Sequence, residues 1–322
     1  MPGPRSISPL VIAIAATASL ILAGCGEKDD AVGPEARKVD LALDFQPNAV
    51  HAGALTAEEE GLDRRNGIDL EVRTPAASTD SLKLLAAGRA DLSIVDIHDL
   101  GLARERGADI VGVGAIVQRP LAAVIARGNI RRPRDLEGKR VGVTGLPSDE
   151  AVLRAVVEAD GGDYAKVRRR TIGFSAVPTL LARRVDAVVT FWNAEGVALR
   201  ERGVRTREFR VDEFGAPRYP ELVLATTRET LRRDPELVRS TVAALADGTR
   251  AALADRGGAV ERVVRASSSD EELVKAQLDA VAPAFEPPLR LSRRALEGWS
   301  RFDARFGILR AAPRVDDAFQ LR

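Results

Sequence analysis

The chain has 322 residues, of which 45% are hydrophobic and 30% charged, enough for a packed core and incompatible with global disorder. Its 48 basic and 47 acidic residues give a formal net charge of +1, so the composition gives no sign of a nucleic-acid partner. One cysteine and two histidines exclude an internal disulfide and a CxxC metal site, and they disfavour a typical zinc site. We expect one large domain or two lobes.

The first 25 residues have the pattern of a secretory leader. An uncharged, apolar stretch over 10–23 follows a basic start and is too short for a membrane span. It runs into the sequence LAGC, ending at Cys25, which resembles a bacterial lipobox; an ordinary signal peptide with a chance cysteine is the alternative. We expect residues 1–24 to be a signal peptide and residues 25–38 to be a flexible linker, lipid-anchored through Cys25.

From residue 39 onward the pattern alternates between strands and helices. Apolar or alternating runs predict strands at 39–45, 68–75, 90–97, 109–117 and 121–127. Helical periodicity predicts helices at 51–67 and at 80–88, the second capped by Ser78, Thr79 or Asp80. This alternation is typical of an α/β protein with a mostly parallel sheet covered on both faces.

The alternation restarts after residue 135. The predicted strands are 140–144, 167–174, 185–192, 203–211 and 217–231, and the predicted helices are 148–162 and 175–184. From 234 to 306 nearly the whole chain has helical periodicity. The segments 84–96 and 180–192 share one design (a helix end, Arg, one residue, Asp, then a buried strand), which predicts two similar lobes.

Ligands of such sheets bind beyond the carboxyl ends of the strands. The side chains at those ends are Asp96 and His98 in the first copy of the design, and Phe191, Trp192 and Glu195 in the second. An aromatic ring would stack on a heterocycle, and Glu195 would accept hydrogen bonds at its edge. Because side chains alternate along a strand, we expect only one of Phe191 and Trp192 to stack. In the alternative interpretation both rings belong to the core and Glu195 only caps the next helix.

Six segments resemble, in colinear order over about 39–250, the solute-binding proteins of ABC importers. They are LDFQPNAVHAG (43–53), EEEGLDRRNGIDLEV (58–72), LLAAGRADLSIVDI (84–97), RPRDLEGKRVGVTG (132–145), FWNAEGVALRERGV (191–204) and EFGAPRYPELVLAT (213–226). The resemblance is to the branch that binds thiamine pyrimidine precursors and that also contains riboflavin-binding members. It identifies the family more specifically than the ligand, because related branches carry alkanesulfonates, taurine and other small molecules.

The resemblance implies a two-lobed α/β fold of the type II periplasmic-binding-protein, or Venus-flytrap, class. We expect lobe 1 to contain residues 39–123 and 224–322, and lobe 2 to contain residues 124–223. The crossovers between the lobes would lie near 118–124 and 217–223. Such a receptor would act as a monomer without a cofactor, lipid-anchored on the extracytoplasmic side of a bacterial envelope. It would capture a small heteroaromatic and deliver it to an ABC permease.

The resemblance also implies which residues contact the ligand. The candidates are Asp44, Phe45, Asn48, His51, Asp96, Thr144, Phe191, Trp192 and Glu195. Phe45 stands where the family often has Trp, so its stacking area is smaller and it lacks an N–H donor. His51 has a second interpretation as a helix-start residue satisfied locally. Thr144 lies in the loop 143–149, whose backbone N–H groups could face an anion or a carbonyl.

An enzyme is the competing interpretation. Fungal members of the superfamily synthesise the thiamine pyrimidine and resemble this chain around His51. They also carry a Cys-rich, iron-linked motif in the second half, whereas Cys25 is the only cysteine here. The chain has no GxSxG, HExxH or Walker A pattern. We therefore expect a binding protein; a signalling or adhesion lipoprotein of the same fold is a third interpretation.

Overall fold

The computed structural model describes residues 36–76 and 80–321. The predicted signal peptide, Cys25 and most of the predicted linker lie outside these ranges, as do the helix-cap candidates Ser78 and Thr79. Asp80 is the first residue of a helix. No helix within the described ranges is long and apolar enough to cross a membrane.

The first sheet has five strands. They are β1 (Arg37–Ala42), β2 (Ile68–Arg73), β3 (Leu92–Asp96), β4 (Ile110–Ala115) and β10 (Leu222–Thr227). The order across the sheet is β2-β1-β3-β10-β4. β1 pairs in parallel with β2 and β3, whereas β10 lies antiparallel between β3 and β4. Four strands therefore run in one direction and β10 runs against them.

The second sheet repeats this arrangement. Its strands are β5 (Ala122–Arg127), β6 (Arg140–Val143), β7 (Arg168–Thr171), β8 (Ala187–Phe191) and β9 (Thr206–Arg210), in the order β7-β6-β8-β5-β9. β6 is parallel to β7 and β8, and β5 is antiparallel to β8 and β9. β5 is thus the reversed strand of this sheet, as β10 is of the first.

The chain passes between the sheets twice. The first crossover, residues 116–121, joins β4 to β5, and the second crossover, residues 211–221, joins β9 to β10. In each sheet the reversed strand is the one that follows a crossover, so both α/β sheets are mixed although most strands share a direction. The predicted lobe boundaries stay a prediction.

Helices cover both sheets. They are α1 (Ala52–Glu59), α2 (Leu62–Arg65), α3 (Asp80–Ala86), α4 (Ile97–Glu105), α5 (Pro147–Ala159), α6 (Ala176–Leu181), α7 (Val197–Glu201), α8 (Arg228–Arg233), α9 (Pro235–Ala254), α10 (Arg256–Ser267), α11 (Glu271–Val281), α12 (Arg293–Phe306) and α13 (Val315–Ala318). The helix predicted over 51–67 is divided because Gly61, at φ 66°, separates α1 from α2. The strand predicted over 217–231 ends at Thr227, whose side chain caps α8.

The core explains the apolar runs of the sequence. All six residues of β4 and the first five of β5 are buried, as expected for strands covered on both faces. Helix α9 packs closely on α1 at Gly53 and Gly248, where a Cβ added to Gly248 would lie 2.1 Å from the Gly53 oxygen. This close approach fixes the long α9 helix against the first sheet.

Candidate functional site

A cavity of about 150 Å³ lies at the carboxyl ends of strands from both sheets. The first sheet contributes residues that follow β1 and β3, and the second sheet contributes residues that follow β6, β7 and β8. The predicted site residues on its wall are Asp44, Phe45, Asn48, Asp96, Thr144, Phe191 and Glu195. The other two predicted residues, His51 and Trp192, are buried behind the wall.

His51 supports the segment that follows β1. Its Nδ1 accepts the backbone N–H of Asn48 at 3.1 Å, so Nε2 carries the proton and donates to Asp44 Oδ1 at 2.7 Å. The Asn48 side chain in turn accepts the backbone N–H of Val50 and caps the short 3₁₀ turn Ala49–His51. His51 therefore holds Asp44 and Asn48 in place at the cavity instead of lining it.

Two carboxyl groups follow β3. Asp96 Oδ1 accepts the backbone N–H groups of His98 and Asp99 and so caps α4. Burial raises the pKa of Asp96 well above its ordinary value, against the opposing effect of the nearby His98. Burial also raises the pKa of Asp99, which lines the cavity beside it. Asp99 is a wall residue that the sequence pattern did not single out.

The backbone N–H of Thr144 binds the carboxyl group of Asp149, which lines the cavity in the same loop. Both the backbone N–H and the hydroxyl of Thr144 donate to Asp149 Oδ2, at 2.5 and 2.6 Å. Burial raises the pKa of Asp149 despite these two hydrogen bonds, which act in the opposite direction. The loop therefore contributes the acidic group of Asp149 to the cavity, and the backbone N–H of Thr144 is already engaged.

The segment after β8 forms a single π-helical turn, Trp192–Gly196. Such turns are rare and are frequently found at functional sites. Phe191, Asn193 and Glu195 line the cavity, and Glu195 Oε2 accepts the backbone N–H of Phe191 at 3.3 Å. The buried Oδ1 of Asn193 has no hydrogen-bond partner among the described residues, so it offers a free acceptor at the wall.

Trp192 points away from the cavity. Only 2% of its surface is exposed, and its indole Nε1 donates to the backbone oxygen of Pro120 at 3.0 Å. Strand alternation predicts that the two rings face opposite ways, and the structure assigns the cavity side to Phe191. Stacking by Trp192 is therefore not supported by its position.

Phe174, in the loop after β7, is a wall residue that sequence reasoning missed. Its ring is 63% exposed, and its centroid lies 5.7 Å from that of Phe45, which belongs to the other sheet. The sequence places Phe174 at the end of the predicted strand 167–174, and no feature of that strand marked this residue as part of the site.

The cavity is acidic. Its wall contains five carboxyl side chains, those of Asp44, Asp96, Asp99, Asp149 and Glu195. Among the described residues that line it, none is Lys, Arg or His. Its ionised carboxyl groups accept hydrogen bonds and favour amino groups and cations. The raised pKa values of Asp96, Asp99 and Asp149 favour their neutral form, which can also donate a hydrogen bond.

Behind Asp96 lies a buried polar cluster around His98. Its Nδ1 is 2.7 Å from Asp303 Oδ1, and its Nε2 is 3.2 Å from the Tyr219 hydroxyl and 3.8 Å from Glu221 Oε1. Burial disfavours the charged ring, but the carboxyl groups of Asp303, Asp96 and Glu221 together outweigh this and the pKa of His98 rises to about 10. Asp96, His98 and Glu221 bring potential metal ligands within 4.8 Å of one another. A protonated imidazole has no lone pair for a metal, so this cluster fits a buried ion pair better than a metal site.

Two α/β sheets joined by two crossovers, with a cavity between their strand ends, define the class of two-lobed periplasmic binding proteins. The periplasmic aliphatic sulphonate binding protein SsuA of Escherichia coli has this fold, with a TM-score of 0.72 at 16% identity over 86% of this chain and 94% of that chain. A family model described as NMT1/THI5 like matches residues 48–259, and the chain belongs to this family.

Curated relatives of the chain include both binding proteins and enzymes. The formylaminopyrimidine-binding protein of Halalkalibacterium halodurans is 34% identical over 224 residues, 69% of this chain and 68% of that protein. The 4-amino-5-hydroxymethyl-2-methylpyrimidine phosphate synthase THI12 of Saccharomyces cerevisiae is 23% identical over 236 residues, 68% of each chain. The family therefore does not by itself separate binding from synthesis.

Proposed function

We propose that the protein is the solute-binding receptor of an ABC importer and captures a small heteroaromatic rich in hydrogen-bond donors, such as a thiamine pyrimidine precursor. The observation that carries this proposal is the acidic cavity, in which Phe191 offers a flat face and Glu195 an acceptor beside it. An aminopyrimidine has the complementary features, a planar ring and exocyclic N–H donors. The 34% identical relative named for binding formylaminopyrimidine supports the same ligand class.

The charge of the wall argues against a sulfonate ligand. A buried sulfonate needs positive charge or several free N–H donors, and the described wall offers carboxyl groups instead. The backbone N–H of Thr144, one donor that the loop 143–149 could have supplied, is engaged with Asp149. The resemblance of fold to a sulphonate-binding protein therefore supports the class of binding protein, and we do not propose a sulfonate as the ligand.

The size of the cavity argues against riboflavin. A cavity of about 150 Å³ holds one six-membered ring such as benzene. Riboflavin has three fused rings and a ribityl chain, so the cavity would have to open widely to admit it. A single-ring pyrimidine fits the cavity without that change.

The same wall argues against the synthase activity of the more distant relatives. A phosphorylated pyrimidine is an anion and would lie against carboxyl groups with no neutralising side chain among the described wall residues. His51, the residue that resembles the synthases, is fully buried and engaged with Asp44 and Asn48. The proposal therefore assigns binding without catalysis.

The proposed cellular setting is the extracytoplasmic side of a bacterial membrane. A monomeric receptor, lipidated at Cys25, would stay beside its permease through the short polar linker. Substituting Cys25→Ala should move the protein from the membrane fraction to the soluble fraction of cells. Retention in the membrane fraction would contradict anchoring through this cysteine.

Calorimetry on the purified protein tests the ligand. We expect formylaminopyrimidine to bind, an aliphatic sulfonate not to bind, and riboflavin to bind weakly or not at all. Glu195→Gln should weaken pyrimidine binding about tenfold or more, a loss of at least about 1.4 kcal/mol. Glu201→Gln, an exposed substitution on the neighbouring α7 helix, is the matched control and should bind normally. Tight binding of the sulfonate alone would refute the proposal.

A further inference from the structure

Two buried side chains hold the end of the first crossover. The backbone N–H of Trp192 donates to the Leu121 oxygen at 3.0 Å, and its indole Nε1 donates to the Pro120 oxygen at 3.0 Å. Glu221, in the second crossover, accepts through Oε2 the backbone N–H groups of Leu121 at 2.6 Å and Ala122 at 3.2 Å. Pro120 to Ala122 are therefore bound by groups from the second sheet and from the second crossover.

Charged groups from both crossovers also meet at the Trp192 ring. The guanidinium carbon of Arg119, in the first crossover, is 5.6 Å from the ring centroid. The guanidinium carbon of Arg210, which leads into the second crossover, is 4.0 Å away. Arg119 pairs in addition with Asp212 of the second crossover at 2.8 Å. The Trp192 indole therefore contacts the first crossover through Arg119 and, through Arg210, the end of the strand that leads into the second crossover.

Both holding residues are next to the cavity wall. Trp192 directly follows Phe191 and begins the π-helical turn that carries Glu195. The Glu221 backbone oxygen accepts the N–H of Ile97 at 2.9 Å, and Ile97 directly follows Asp96. A ligand that contacts Phe191 or Asp96 therefore acts one residue away from a contact to a crossover, and one that contacts Glu195 acts within the same π-helical turn as Trp192.

We propose that Trp192 and Glu221 are positioning residues that set the angle between the two sheets and adjust it when the cavity is occupied. Binding of a ligand at the wall displaces the π-helical turn and the start of α4, and the first crossover bends with them. The ligand in this inference is that of the proposed function, but the role of the two residues in the ligand-free protein does not depend on it. The positioning role explains why Trp192 is buried beside the cavity without lining it.

Fluorescence of the full chain tests the ligand-linked step, because the only tryptophans are Trp192 and Trp299. Trp299 is buried against Phe319 at a centroid distance of 5.5 Å and its Nε1 has no partner among the described residues, so Trp299→Phe removes its emission without breaking a hydrogen bond. In that variant, saturating formylaminopyrimidine should change the emission of Trp192. In Trp192→Phe, emission from Trp299 should stay constant. Unchanged Trp192 emission while calorimetry records binding would overturn the inference, whereas absence of calorimetric binding would overturn the proposed function.

Small-angle scattering without ligand tests the positioning role independently. Trp192→Phe removes the donor to Pro120, and Glu221→Ala removes the acceptor for Leu121 and Ala122; both should change the radius of gyration. Glu221→Gln keeps an accepting oxygen and should restore most of the native value. Trp299→Phe, which removes the other buried indole, should scatter like the native protein. Native scattering from folded Trp192→Phe would overturn the inference, and so would native scattering from a folded Glu221→Ala; if Glu221→Ala does not fold, Trp192→Phe alone decides.

Discussion

The rings of Phe45 and Phe174 meet at a centroid distance of 5.7 Å although they belong to loops of different sheets. Phe45 is 36% exposed and Phe174 is 63% exposed, and both rings line the cavity, so their contact lies at its solvent-exposed side. Apolar rings gain stability when their contact removes surface from water. The pair therefore favours the state in which the two sheets approach each other, and it lies where a ligand would leave.

Phe174→Ala should shorten the lifetime of the bound ligand without reducing the stability of the fold. Losing the aromatic contact should weaken affinity by about 2- to 12-fold, from the 0.5–1.5 kcal/mol typical of such pairs. Stopped-flow dissociation and thermal melting measure the two effects. Leu181→Ala, an exposed apolar residue that does not line the cavity, is the control. Equal dissociation rates in both variants would show that the pair does not retain the ligand.

His51→Ala should weaken ligand binding although His51 does not line the cavity. The substitution leaves Asp44 Oδ1 without its 2.7 Å donor and the Asn48 N–H without its acceptor, so both wall residues become mobile. Removing one partner of a buried hydrogen bond costs about 1–3 kcal/mol, which urea unfolding would detect alongside calorimetry. Asp44→Asn keeps an accepting oxygen and separates the effect of charge from that of position. Native affinity in His51→Ala would contradict the supporting role.

The stability of the protein should decline between about pH 6.5 and pH 10. The pKa of His98 rises from 6.5 to about 10 in the folded state, so its contribution is complete below pH 6.5 and is lost as the pH approaches 10. Asp96, Glu221 and Tyr219 face the same ring from other elements, and burial raises the pKa of each, which acts in the same direction. Urea unfolding should show a decline of at most about 1.4 kcal/mol per pH unit for each proton involved.

His98→Gln tests whether the titration of His98 causes this decline in stability. Its amide keeps a donor for Asp303, but it cannot titrate, so the dependence of unfolding free energy on pH between 6.5 and 10 should become much weaker. An unchanged slope in the variant would assign the titration to another group.

Gly248→Ala should destabilise the packing of α9 on α1. The added Cβ would lie 2.1 Å from the Gly53 oxygen, a backbone atom that cannot rotate away. Overpacking of this kind costs about 1–3 kcal/mol, which chemical denaturation would measure. Gly257→Ala is the matched control, since a Cβ there meets its nearest atom at an ordinary 3.6 Å within α10. Equal stability of the two variants would show that the helices separate without cost.

Local sequence pattern was sufficient to find the strands. Each of the ten predicted strands overlaps one in the structure, because apolar runs record burial on the faces of a sheet. Direction was not predicted: the reversal of β5 and β10 depends on pairing with strands far away in the chain, which periodicity does not record. The division of the helix predicted over 51–67 was not predicted: it follows from the positive φ of Gly61, which the helical periodicity of this segment does not record.

The candidate site was predictable where polar or aromatic side chains lie at the carboxyl end of a strand. The segments after β1, β3 and β8 were all singled out, and each lines the cavity. Alternation showed that Phe191 and Trp192 face opposite ways but contained no information on which one faces the cavity. Asp99 and Asp149 were missed because an acidic residue in the first turn of a helix has an ordinary explanation in the helix dipole.

The position of β10 has a consequence for how the chain is made. β3 and β4 leave the ribosome long before Leu222–Thr227, the strand that separates them, because the entire second sheet is translated in between. Until then both strands have unpaired edges, which are sites of aggregation in incomplete chains. The first sheet can therefore mature only after translation has passed the second, and a nascent chain that stops before Leu222 lacks a foldable first half. Nonlocal pairing of this kind slows folding.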